Sequence, residues 1–297
     1  MLFRSGIGGV EVVVWMVVLA LGCGAEKGED VDDTDPVVED SDTPAVVDDD
    51  DDEGDCRVGP FTERCDCVAY ALPVGETACR AVRVVVWDDD VDGVVLGSGP
   101  AIVAHLEAGP FEVTRFGALW DDWGGVDIAG VDVIFWAEAV NYHVELAAEG
   151  LAAVEAHLQA GGALVRSEWG CGWQGRSPEL CPVVSPEGNW GTGDVTWEAT
   201  GAAGMGAFVA GLGGGLGLGH GYAWVEPVDA DAVVVAEIVL EGGERLPGIT
   251  VDPGAEGAGP VVHLNHDLGY QPEQLEGDAV GRLLRDVVFG AAVAAGR

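Results

Sequence analysis

Three consecutive segments decide the fold: VDVIFWAEA (131–139), VELAAEGLAAVEAHLQAGG (144–162) and ALVRSEW (163–169). The first is a short apolar run rich in β-branched and aromatic residues, which reads as a strand buried on both faces. The second repeats its apolar residues at helical spacing and stops at Gly161-Gly162, a helix C-terminus. The third returns to a strand period. Strand, helix and strand in so short a span make a parallel unit with a right-handed crossover.

Outward from this unit the same alternation continues. AVRVVVW (81–87) and FEVTRFG (111–117) read as strands, with AIVAHLEA (101–108) as a helix between Gly99-Pro100 and Gly109-Pro110. DAVVVAEIVL (231–240) and GPVVHLNH (259–266) read as two more strands, and DAVGRLLRDVVFGAAVA (278–294) as a final helix. The pattern predicts an α/β fold, a three-layer α/β/α sandwich on a mostly parallel sheet, over residues 81–297. GLGGGLGLGHG (211–221) reads as a glycine-rich loop, without the strand–loop–helix setting or the lysine of a phosphate cradle.

The amino-terminal part has a different character. Arg4 precedes an apolar run from Val12 to Leu21, too short for an ordinary membrane-spanning helix and suited to a signal-peptide core. It leads into Ala20-Leu21-Gly22-Cys23, which resembles the lipobox of bacterial lipoproteins. The resemblance implies a signal peptide over 1–22, lipid on Cys23 and a membrane partner through that lipid. Gly24, in place of the aspartate that retains such proteins at the inner membrane, favours the outer membrane. Residues 23–55 are acidic, with Pro36, Pro44 and the run Asp48 to Asp52, and read as an extended tether or a weak calcium ligand. Residues 56–80 hold Cys56, Cys65, Cys67 and Cys79, a cap stapled by disulfides or, on a rival reading, by zinc. The chain has seven cysteines. Lipid on Cys23 leaves an even set, with Cys171–Cys181 the simplest bridge.

The net charge of -39, against 13 basic residues, excludes nucleic acid as a partner and favours neutral or cationic ligands. The only lysine, Lys27, lies in the tether, so no catalytic lysine is available to the domain.

The segment from DVIFWAEA through the long helix to GGALVRSEWG, together with the carboxyl-terminal strand and helix, resembles the class I glutamine amidotransferase-like superfamily, in particular its ThuA-like (trehalose utilisation) branch. The resemblance covers about residues 81–297 and implies a flavodoxin-like core. Those amidotransferases carry a cysteine in a sharp turn after the central strand. Here the turn reads Arg166-Ser167-Glu168-Trp169-Gly170, so Glu168 stands in the cysteine's place, and a carboxylate cannot supply the thiolate that amide hydrolysis needs. Their His-x-Glu pair is missing; His266-Asp267 lies nearby in order but is spaced differently.

Ligands of open parallel sheets gather at the carboxyl ends of the strands. That rule selects Asp88, Asp89 and Asp90 after the first strand, and Glu138, Asn141, Tyr142 and His143 after the third. It also selects Glu168 and Trp169 after the fourth, and His266 and Asp267 after the last. These groups suit a small ligand such as a carbohydrate, or a divalent cation held by carboxylate and imidazole. The alternatives are acid/base hydrolysis by Glu168 and His266, and a scaffold with an idle pocket. Asp88 to Gly93 matches the start of an EF-hand loop, but its twelfth position is Gly99 and a strand precedes it. Trp169, Trp173, Trp190 and Trp197 fall in what reads as an irregular region, as loop packing or as flat faces for sugar rings.

Overall fold

A computed structural model describes residues 68–71, 77–88, 98–117, 127–137, 146–167, 171, 178–186, 188–228, 230–268 and 272–296. The chain divides into two units, Met1–Asp49 and Asp50–Arg297. Every described residue belongs to the second. The expected signal peptide, Cys23, the tether, and Cys56, Cys65 and Cys67 lie outside the described residues.

Strands β1 (Val68–Ala71) and β2 (Thr77–Arg80) form an antiparallel ribbon of their own within the expected cap. The main sheet begins with β3 (Val82–Asp88), followed by helix α1 (Ser98–Glu107), β4 (Phe111–Gly117), β5 (Val133–Ala137), helix α2 (Ala148–Gln159) and β6 (Ala163–Ser167). The short β7 (Val183–Val184) precedes the long β8 (Trp190–Ala199) and β9 (Leu216–Ala223), and β10 (Glu226–Pro227) pairs back onto β7. Strands β11 (Val233–Leu240), β12 (Arg245–Asp252) and β13 (Val261–Leu264) and helix α3 (Asp278–Ala294) complete the order.

Nine strands form one sheet in the order β4-β3-β5-β6-β13-β12-β11-β8-β9. The pairings from β4 to β13 are parallel, and those from β13 to β9 are antiparallel. Only β12 and β8 therefore run against the other strands. The two halves are joined by β13, the last strand made but the central one in space.

Side chains alternate across the strands as the pleat requires. Val84, Val86, Phe135 and Val165 face α1 and α3, whereas Trp87, Ile134, Trp136 and Leu164 face α2. Both faces of β3, β5 and β6 are thus buried, which explains the unbroken apolar runs of β3 and β5. Over the antiparallel half, Val195, Trp197, Ile238, Ile249 and Val251 continue the core on the α3 side. The opposite face is polar there: Arg245 bridges Glu198 at 2.7 Å and Glu237 at 2.8 Å.

The fold is therefore α/β on a mixed sheet whose strands run mostly parallel, as the sequence predicts, with sparse helical cover of three α-helices among the described residues. Two expectations are corrected. The glycine-rich stretch 211–221 is largely strand β9, with Leu216, Leu218, His220 and Tyr222 on one face and glycines on the other. Trp190 and Trp197 lie on strand β8, and Trp197 is fully buried in the core.

Candidate functional site

The carboxyl ends of the parallel strands define a crest. Trp87, Trp136, Arg166 and His263 are register partners on β3, β5, β6 and β13, one step below it on the α2 face. Trp87 stacks on Trp136 with ring centroids 5.3 Å apart and planes 18° apart. The Arg166 guanidinium carbon lies 4.3 Å from the Trp136 ring centroid, a cation–π contact. Arg166 also donates from Nη1 to Cys181 Sγ at 2.9 Å. Beside it, His263 is fully buried and neither ring nitrogen has a hydrogen-bond partner among the described residues. Burial, with the Arg166 charge, lowers its pKa to about 3.

Cys181 is bonded to Cys171. Cys171 is the first cysteine after β6 in sequence, and its sulfur is held in this disulfide.

At the tip of β3, Asp88 is fully buried on the opposite face and pairs with Arg115 at 2.6 Å. A side chain at Gly99, in the first turn of α1, would overlap the Asp88 carboxylate. Asp88 therefore ties β3 to β4 and α1. Asp89, Asp90, Glu138, Asn141, Tyr142, His143, Glu168, Trp169 and Trp173 lie outside the described residues.

Beyond β13 the chain forms a second polar group. His220 on β9 stacks on His266, with centroids 4.1 Å apart and planes 11° apart. The His220 Nδ1–H donates to Gly221 O at 2.6 Å. Its Nε2 then accepts from Trp197 Nε1–H at 3.0 Å. Those two bonds fix one neutral tautomer, and burial lowers the His220 pKa to about 4. His266 is also fully buried, both of its nitrogens are without a hydrogen-bond partner among the described residues, and burial beside His220 lowers its pKa well below the ordinary value. Its Nδ1 lies 3.6 Å from Asp267 Oδ1, beyond hydrogen-bond reach. Burial raises the Asp267 pKa to about 6. Gln274, its amide turned so that the NH2 group faces the carboxylate, donates to Asp267 Oδ1 at 2.6 Å. Position 221 must be glycine here, because a Cβ would run into the Asp267 carboxylate.

Among the described residues, His220, His266 and Asp267 are the group whose potential ligand atoms come within 4.8 Å of one another. They do not fit a cation as they stand. Both His220 nitrogens are engaged, and a metal cannot lie in the planes of two nearly parallel stacked imidazoles at once.

Asn265 completes the crest. It is fully buried, its Oδ1 accepts from Ala223 N at 2.8 Å, and its Nδ2 donates to Ala223 O and Pro247 O at 2.9 and 2.8 Å. It pins the end of β9 and the start of β12 to the end of β13. Sequence reading brought out His266 and Asp267 but missed His220, Asn265 and Gln274. The signal for His220 was the period-2 alternation hidden among glycines; nothing local marks Asn265 or Gln274.

No family model matches the chain, and no curated protein does. Several solved structures show partial similarity to it. A ThuA-like protein from Bacteroides uniformis is 11% identical over 73% of this chain and 94% of its own, with a TM-score of 0.48. The glutaminase domain of Trypanosoma brucei CTPS, solved with bound acivicin, is 12% identical over 72% of this chain and 94% of its own, with a TM-score of 0.42. A β-galactosidase from Rahnella sp. R3 is 16% identical over 75% of this chain, with a TM-score of 0.48, and this chain spans 32% of it. These scores are too low to define a family, an activity or a ligand.

Proposed function

We propose that this chain is a ligand-binding lipoprotein of the bacterial cell envelope, with a ThuA-like domain that has lost amidotransferase chemistry and binds a small ligand of carbohydrate type at its crest. The observation that carries the reading is the polar group beyond β13, where a fully buried His266 offers two unpartnered nitrogens. A buried polar atom left without a hydrogen bond costs about 1–3 kcal/mol, and a ligand hydroxyl at His266 would offset that cost. The Cys171–Cys181 disulfide supports the loss of thiol chemistry. Residues Asp89, Glu138, Asn141, Tyr142, Trp169 and Asp267, together with Glu168 and His266, are the proposed ligand contacts, while Asp88 contributes through its pair with Arg115.

The test is a saccharide array followed by calorimetry on the mature chain and on Trp169→Ala, Glu168→Gln and His266→Asn. The expected result is a retained saccharide whose affinity drops about tenfold or more, at least 1.4 kcal/mol, in one or more of the variants. An array without hits, or affinities unmoved by all three changes, rejects the reading. The lipid is tested separately: a palmitate analogue should label the wild type in cells and not Cys23→Ser, with the label in the outer-membrane fraction.

A second reading, acid/base hydrolysis by Glu168 and His266, is favoured by one feature, a neutral imidazole beside a carboxyl whose pKa is raised to about 6. Turnover on a panel of chromogenic esters and glycosides, lost in both Glu168→Gln and His266→Asn, would establish it.

A further inference from the structure

At the same end of the sheet as the crest, but over its antiparallel half, a cavity of about 490 Å³ opens between the end of β9 and the start of β12. Trp224, Asn189, Glu226, Glu244, Arg245 and Pro247 line it. We infer that this cavity is a saccharide-binding site in its own right, with Trp224 as the stacking platform.

The indole is held at both ends. Its Nε1 donates to Glu244 Oε1 at 2.9 Å. The far edge of its six-membered ring lies against Gly191, where a Cβ would come within 3.0 Å of it. Tyr222 backs it, with centroids 5.3 Å apart and planes at 56°. The adjoining backbone is fixed as well, because Trp224 N donates to Asn189 O at 3.2 Å and Asn265 clamps the preceding Ala223 to Pro247. The ring is only partly buried. A partly open indole that loses little freedom on binding is what stacking against a pyranose face requires.

The groups around the ring fit the same ligand. The exposed carboxylates of Glu226 and Glu244 accept hydrogen bonds from sugar hydroxyls, and the Arg245 guanidinium donates to ring or hydroxyl oxygens. Arg245 is already engaged by Glu198 and Glu237, so the rim keeps a net negative charge. An anionic ligand is disfavoured there, and a neutral polyhydroxylated one is not. Pro247 adds a rigid apolar wall with no donor to satisfy.

The site shares the carbohydrate class with the crest reading but none of its residues, so variants separate the two. The intact mature chain is screened on a glycan array, and the best neutral oligosaccharide is titrated by calorimetry into the wild type, Trp224→Ala, Trp224→Phe and the crest variants Trp169→Ala and Glu168→Gln. For the site at Trp224 the expected result is a loss of about tenfold or more in Trp224→Ala and a smaller loss in Trp224→Phe, which keeps a stacking face without the Glu244 bond, whereas any loss in the crest variants falls on a second, separately titrating site. Circular dichroism and a wild-type melting temperature establish that the variants are folded; because Trp224→Phe retains the ring, it serves if Trp224→Ala does not fold. Wild-type affinity in both Trp224 variants overturns this site and leaves the crest reading standing. An array without hits overturns both. Binding of tetramethylammonium or of a proline-rich peptide at Trp224, with no saccharide bound, overturns the ligand class.

Discussion

Asp286 lies in the middle of α3, 4% exposed, where it accepts a hydrogen bond from Gly211 N. Burial raises its pKa from 3.8 to about 6, against the opposing pull of Arg285 and Arg282. A carboxyl whose pKa is raised on folding contributes stability below its unfolded value, and loses it as pH rises through the folded one. At pH 8 the charged form is therefore a liability of up to about 3 kcal/mol. Asp286→Asn keeps an oxygen for Gly211 and removes the charge. Urea unfolding should show it more stable than the wild type at pH 8 by a margin approaching that figure, with little difference at pH 4. Equal stability at pH 8 would show that the carboxylate is not penalised. Nothing in RLLRDVV flags this residue, because a helix pattern admits an aspartate on its surface as readily as inside. Asp88 was legible as a strand-tip residue, but its partner Arg115 sits on the neighbouring strand, a pairing that spacing does not reveal.

At the scale of elements, legibility follows how a strand is buried. Strands β3, β5 and β6 are covered on both sides, so their sequences are continuous apolar runs and reading them is straightforward. Strands β8, β9 and β12 are covered on one side and carry Gly191, Gly193, Gly217, Gly219, Pro247 and Gly248, residues that ordinarily mark turns. Their pairing comes from neighbours distant in the chain, and the turn signals outweighed the alternation. One glycine is demanded by packing between elements. Gly259, just before β13, lies so close to the Gly161-Gly162 turn after α2 that a Cβ would overlap the Gly162 carbonyl. Gly259→Ala should lower the unfolding free energy by about 2–4 kcal/mol, whereas Gly242→Ala, in open space, should change it by less than about 0.5 kcal/mol. Paired denaturant titrations check both; similar values for the two would refute the close approach.

For the whole molecule, the buried titratable groups oppose one another. His220, His263 and His266 are held neutral, with pKa values of about 4, about 3 and well below 6.5. Their stabilisation is complete above 6.5 and is lost as pH falls through the folded values. Asp267 and Asp286 act in the other direction, gaining stability as pH falls from about 6 toward 3.8. Between pH 6 and 4 the losses at His220 and His263 meet the two gains, and His266 adds a further loss, so stability should fall on acidification. In an Asp267→Asn, Asp286→Asn double variant the fall should steepen by about two protons' worth, ~2.7 kcal/mol per pH unit. A double variant whose stability does not fall over that range would contradict the burial of the histidines. The three were visible in the sequence only as scattered residues, and His220 meets His266 because the chain just beyond β13 is bonded to β9, Asp267 N donating to Gly221 O at 3.2 Å. The position of β13 also bears on biosynthesis. A ribosome delivers the parallel strands first and the antiparallel ones next, but the seam between them stays open until residues 261–264 emerge. Nascent chains halted before that point should remain sensitive to protease, so the strand that unites the sheet also sets the moment at which it can close.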